Sequence, residues 1–145
     1  MKPRKSTVLT AVSWTAVAVC MGIIFFLSSQ DGSGSQALSD NFTFFLGLPL
    51  YFVRAVRKAA HFLEFTGLAM LFFNALYRSF GRFRPFLSFL LTAAYAASDE
   101  FHQLFVDGRA CRIFDFFVDC AGAATGIAVL YLLIFLFGKL KSWRG

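Results

Sequence analysis

The chain has 145 residues, of which 58% are hydrophobic and 15% are charged, and its net charge is +6. Soluble domains are about one-quarter charged, so this composition excludes an ordinary soluble domain and indicates a membrane protein. The basic residues stand at the ends of apolar runs and form no stripe, which argues against nucleic acid as a partner. We therefore expect one domain, residues 1–145, built as an all-α bundle of four transmembrane helices.

The first helix is predicted at residues 6–27, a run without charge that is long enough to cross a bilayer. A cleaved signal peptide is the alternative, but no A-x-A cleavage site follows, and Val19 before Cys20 does not fit a lipoprotein signal. We interpret this helix as an anchor. The apolar run 42–53 is too short to cross, so we expect a short interfacial or re-entrant segment after helix one.

Three more helices are expected, at residues 57–77, 86–105 and 114–137. The third run is apolar only in its first part, so it can cross a bilayer only by taking polar residues into the membrane. In the fourth run, Gly122 and Gly126 form a small-xxx-small spacing, which lets a neighbouring helix approach closely.

The distribution of Lys and Arg predicts the orientation. Nine of the 14 basic residues lie at the N-terminus, in the loop 78–84 or in the C-terminal tail. By the positive-inside rule, we expect a multi-pass protein of the cell membrane with both termini cytoplasmic. All eight acidic residues and both histidines then lie on or near the outer side.

Ionisable groups concentrate at the outer ends of helices two, three and four, and their spacing places them on one face of each helix. Because charges inside apolar helices are costly, such groups are functional candidates by default. The alternative is an ion-paired face that only fixes helix packing. The catalytic candidates are His61, Glu64, Asp99 and His102. The binding candidates are Arg57, Lys58, Glu100, Gln103, Arg109, Asp115 and Asp119.

Three functions fit these residues. The first is an envelope-modifying enzyme with His61 or His102 as the general base and Glu64 or Asp99 orienting it, while arginines hold a phosphate. The second is a metal-dependent membrane hydrolase, since each His–carboxylate pair offers two ligands, although no third histidine or HExxH motif accompanies them. The third is a non-catalytic binder or transporter of an anionic lipid or ligand. No metal ligand is assigned, the cofactor is unknown, and catalysis itself is left open.

Three ordered motifs resemble those of the VanZ-like family of bacterial integral membrane proteins. They are RKAAHFLEF from Arg57, SDEFHQLFVDGR from Ser98 and DxxxDxxGxxxG from Asp115. The triplet 28–30 also matches, whereas Asp107 stands where the family often has proline. The resemblance implies a cell-envelope protein linked to resistance to glycopeptides such as teicoplanin, with membrane lipid and an anionic or lipid-linked cell-wall substrate as partners. Some relatives are labelled phosphotransbutyrylase, but that acyl-CoA chemistry belongs in the cytosol, opposite the predicted site.

The three cysteines, Cys20, Cys111 and Cys120, show no metal-binding spacing. Spacing alone leaves open whether Cys111 and Cys120 pair.

The predicted orientation is testable with reporter fusions. A fusion at Gly34 should report an external position and one at Gly81 a cytoplasmic position, because the basic loop beside Gly81 stays inside. The reverse pattern of signals would overturn the orientation and the outward position of the site.

Overall fold

The computed structural model of the chain describes residues 7–30, 37, 40–41, 43–45, 47, 49, 52–107 and 113–142. Within these residues the regular structure is helical and contains no strand, which confirms the all-α prediction. The four long helices are α1 (Thr7–Ser28), α2 (Val53–Phe80), α3 (Pro85–Gln103) and α4 (Ile113–Ser142).

The helix ends follow local chemistry. Gly81 ends α2 in a left-handed conformation with φ of 70°, and its N–H donates to the carbonyl of Tyr77, a glycine C-cap. Pro85 opens α3, where its missing N–H costs no hydrogen bond. The sequence predicts that α3 reaches residue 105, but it ends at Gln103 because residues 104–106 tighten into a turn of i to i+3 hydrogen bonds.

Three helical segments are long and apolar enough to cross a membrane: Thr7–Ser28, Ala55–Phe80 and Ile113–Leu136. These segments fit a multi-pass membrane protein. The fourth helix, α3, is not among them because polar residues fill its last turns, although its 19 residues extend over roughly 28 Å at ~1.5 Å per residue. The predicted interfacial segment 42–53 lies partly outside the described residues, and its described part does not confirm that placement.

Contacts between helices fix their directions. Near the start of α1, the indole N–H of Trp14 donates to the hydroxyl of Ser79 at the end of α2, over 3.0 Å. At the opposite end of the bundle, the amide of Gln103 lies 3.3 Å from the hydroxyl of Ser28. Thus α1 runs antiparallel to α2, and α3 returns along the bundle to the end where α1 finishes.

The closest helix contact joins α2 and α4, which run in the same direction. A Cβ added at Gly126 would lie 2.5 Å from the carbonyl oxygen of Thr66, and one added at Gly122 would overlap the carbonyl of Phe62. The hydroxyl of Thr66 lies 2.9 Å from the carbonyl oxygen of Gly122. The small-xxx-small spacing therefore acts as predicted, because only glycine permits this approach.

Helix α3 has mostly polar side chains on its buried face and large apolar side chains on its exposed face. An apolar core forms among α1, α2 and α3 from Val17, Ile24, Phe65, Leu68, Phe72, Ala75 and Ala96. The buried face of α3 is otherwise polar, whereas large apolar side chains such as Phe86 and Leu90 are exposed. An apolar exterior is what a lipid-facing bundle requires.

The glycine contact predicts that alanine substitutions destabilise the protein at the contact but not at a glycine elsewhere in the bundle. Gly122→Ala and Gly126→Ala should lower the free energy of unfolding by about 1–3 kcal/mol, because the added methyl meets backbone. Gly67→Ala is the matched control, since nothing lies within 4 Å of its Cβ position and alanine favours helix by up to ~1 kcal/mol. Unfolding in detergent measures all three, and equal effects would contradict the close approach.

Candidate functional site

The buried face of α3 carries polar side chains towards one end of the bundle. The hydroxyls of Ser88 and Thr92 are satisfied by the carbonyls of Ala69 and Ser88, over 2.8 and 2.9 Å. Further along the same face, Asp99 and Glu100 are only 3% and 4% exposed. Helix α3 therefore brings two carboxyl groups into the interior at the polar end.

Asp119 of α4 is fully buried beside His61 of α2. Its Oδ1 lies 3.8 Å from the Nδ1 of His61, too far for a hydrogen bond but within range of an ion pair if the imidazole is protonated. Both oxygens of Asp119 lack a hydrogen-bond donor within the described part of the chain. The sequence predicts Glu64 or Asp99 as the carboxylate that orients a histidine, and the structure adds Asp119 as a neighbour of His61.

Several acidic side chains from three helices surround Asp119. Those within electrostatic range of it are Glu100, Asp99, Asp115 and Glu64. We refer to Glu64, Asp99, Glu100 and Asp119 as the carboxylate layer. A buried charge must be paired, protonated or hydrated, so this layer is costly to bury.

Gln103 orients one member of the layer and links it to α1. Its amide donates to Oδ2 of Asp99 over 3.0 Å and lies 3.3 Å from the hydroxyl of Ser28. The other oxygen of Asp99, Oδ1, has no donor among the residues that the structure describes. Gln103 thus positions Asp99. The sequence predicts a different role for Asp99, that of orienting a histidine.

His102 has an aromatic neighbour. Its ring centroid lies 4.6 Å from that of Phe25 on α1, and its buried Nδ1 has no hydrogen-bond partner in the described ranges. His61 and His102 therefore sit in different surroundings, one against a carboxylate and the other against a phenyl ring.

Two basic residues of α2 form the rim of the site. The ammonium of Lys58 contacts Oδ1 of Asp115 at 2.7 Å and lies 4.1 Å from the ring centroid of Phe114. Lys58 and Asp115 remain partly exposed, and Arg57 is half-buried. We refer to Arg57 and Lys58 as the basic rim. Asp115 also stands in the first turn of α4, where a negative charge favours the helix dipole.

Some predicted residues are not placed by the structure. Arg109 and Cys111 lie outside the described residues. Cys20 and Cys120 are free thiols. Within the described residues, no group of three or more His, Cys, Asp or Glu side chains has an arrangement that could hold a metal ion.

Two residues near the site were not candidates from the sequence. Ser28 contacts Gln103, as noted above, and Tyr95 donates its hydroxyl to the carbonyl of Met21 over 2.6 Å, within electrostatic range of Asp99. The sequence spacing could have identified Tyr95, because it lies four residues before Asp99 and hence on the same helix face.

A family model described as VanZ/LLP1 matches residues 13–136, which include every candidate residue. Neither the search of curated proteins nor the search of solved structures gives a match.

The lack of a hydrogen-bond donor to the buried Asp119 in the described residues predicts that this residue does not stabilise the fold. Asp119→Asn keeps the shape of the side chain but removes a buried ionisable group, so the free energy of unfolding should stay unchanged or rise by about 1–3 kcal/mol. Unfolding of the purified protein at neutral pH measures this, with exposed Asp107→Asn as the control. A clear loss of stability in Asp119→Asn alone would show a structural role.

Proposed function

The chain belongs to the VanZ/LLP1 family, and we propose that it acts on a lipid-linked or headgroup substrate at the outer side of the cell membrane. The setting implied by its resemblance to VanZ-like proteins is bacterial resistance to glycopeptides such as teicoplanin. The reaction is general acid–base catalysis beside the carboxylate layer, with His61 as the proton acceptor and Asp119 as its partner.

The contact between His61 and Asp119 carries this proposal. Asp119 is fully buried and its Oδ1 lies 3.8 Å from Nδ1 of His61, so a charge that develops on the imidazole faces a carboxyl group where water is excluded. With Nδ1 towards Asp119, Nε2 is the nitrogen that takes a proton from the substrate. Carboxylate and imidazole then have the roles of orienting partner and general base.

The basic rim supplies the binding part of the proposal. Lys58 lies one helical turn before His61 and is 39% exposed, so it reaches the headgroup region while His61 lies deeper. An anionic phosphate is attracted to Arg57 and Lys58 and repelled by the carboxylates below them. Arg109, predicted from the sequence, would add a bidentate phosphate contact. The substrate thus has its phosphate at the rim and its reacting group at the layer.

The directions of the helices and the basic ends of the chain support an outward-facing site. Helix α3 runs alongside the three apolar helices, so we propose four crossings of the cell membrane. The contacts of Trp14 and Gln103 described above then place α1 and α3 antiparallel to α2. Together with the basic ends of the chain, this arrangement favours cytoplasmic termini and an external carboxylate layer.

Loss of proton transfer should abolish the function while the protein stays folded. His61→Gln keeps a hydrogen-bonding side chain of similar reach, and Asp119→Asn keeps the shape of the partner, so both should reduce the reaction by about 10²–10⁴-fold. Teicoplanin tolerance of a susceptible bacterial host expressing each variant measures this, with membrane protein level checked in parallel.

Asp107→Asn is the matched control, because it makes the same chemical change at an exposed carboxylate after α3. It should keep full tolerance. Full tolerance in His61→Gln at normal protein level would remove the general-base role and leave a non-catalytic binder of an anionic lipid or ligand as the better interpretation.

A further inference from the structure

The carboxylate layer has buried acceptor atoms that receive no hydrogen bond from the described residues. They include Oδ1 and Oδ2 of Asp119 and Oδ1 of Asp99. The two residues are 0% and 3% exposed, respectively, and lie within electrostatic range of each other. The Nδ1 of His61 lies 3.8 Å from Oδ1 of Asp119, beyond hydrogen-bond distance, and Lys58 is held by Asp115 at the rim. Buried acceptors are normally hydrogen-bonded, so these oxygens can accept hydrogen bonds from a bound molecule.

We propose that the carboxylate layer binds a primary ammonium group, which makes the substrate an amine-bearing headgroup. An ammonium has three N–H donors and a positive charge, which suits a layer of carboxyl groups with several buried oxygens that lack donors in the described residues. Hydrogen bonds between ionised groups are the strong ones in a water-poor site. This assignment rests on the proposed function, because it names the substrate class of the same site.

The basic rim above the acidic layer specifies the class of substrate headgroup further. Arg57 and Lys58 offer positive charge at the surface, and Asp119 lies one helical turn, about 6 Å, beyond Asp115. A headgroup with a phosphate and a primary ammonium a few bonds apart is complementary to this order. Phosphoethanolamine has that arrangement. A choline headgroup has the same phosphate and charge, but its trimethylammonium has no N–H to donate.

Lipids that differ only in this group provide the test. The purified full-length protein in detergent is titrated with two lipids that carry the same fluorescent label on an acyl tail, one with an ethanolamine and one with a choline headgroup. Fluorescence anisotropy reports binding. The ethanolamine lipid should bind at least about tenfold more tightly, because the choline lipid leaves buried charged acceptors unsatisfied.

The variants assign the preference to named residues. Asp119→Asn and, independently, Asp99→Asn should each remove most of the tenfold preference, while Asp107→Asn should keep it. Equal binding of the two lipids by the wild-type protein, or an unchanged preference in both layer variants, would overturn the ammonium site. Using two variants keeps the test valid if one of them does not fold.

Competition experiments show whether the protein recognises the free amine-bearing headgroup or requires the whole lipid. If free phosphoethanolamine displaces the labelled ethanolamine lipid at low millimolar concentration, the headgroup alone carries recognition. Displacement only by unlabelled ethanolamine lipid shows that the lipid is required. Both outcomes support the ammonium site, and displacement by choline lipid with equal strength opposes it.

The binding measurement tests the ammonium site separately from the proposed catalysis. Headgroup preference in the wild-type protein together with full teicoplanin tolerance in His61→Gln would retain the ammonium site and reject the general base. Lost tolerance in His61→Gln without headgroup preference in the wild-type protein would do the reverse.

Discussion

The close approach of α2 and α4 at Gly122 and Gly126 is the contact on which the rest of the bundle depends. Between lipid-facing helices the hydrophobic effect gives little attraction, so tight packing and interhelical hydrogen bonds must hold them together. The glycines let the backbones meet, and the hydroxyl of Thr66 lies 2.9 Å from the carbonyl oxygen of Gly122. This contact sets the register that brings Asp115 to Lys58 and Asp119 to His61.

Several buried polar groups elsewhere in the described helices have hydrogen-bond partners, in contrast to the carboxylate layer. At the opposite end, Asn74 donates to Ser13 and accepts from Arg78, over 3.1 and 3.3 Å. In the middle, Ser88 and Tyr95 donate to backbone carbonyls. Only towards the polar end do buried carboxyl oxygens without donors accumulate in the described residues. A protein tolerates such a cost where function requires it.

The site has two levels with different electrostatics. At the rim, Lys58 and Asp115 form a partly exposed ion pair that water screens, so it contributes little to stability. Below it, Asp119 and Asp99 lie in a water-poor interior where each uncompensated charge is expensive. The proposed substrate, with opposite charges at its two ends, is complementary to these two levels, because the rim attracts an anion and the layer attracts a proton or cation.

The sequence by itself determined the helical membrane fold, because span length, periodicity and the chemistry of glycine and proline at helix ends are local properties. It also located the ionisable groups and the glycine spacing of α4. Only the tertiary structure decided that His61 faces Asp119, 58 residues away, and that Gln103 holds Asp99. The rotation of each helix about its axis depends on its neighbours, and no local pattern contains that information.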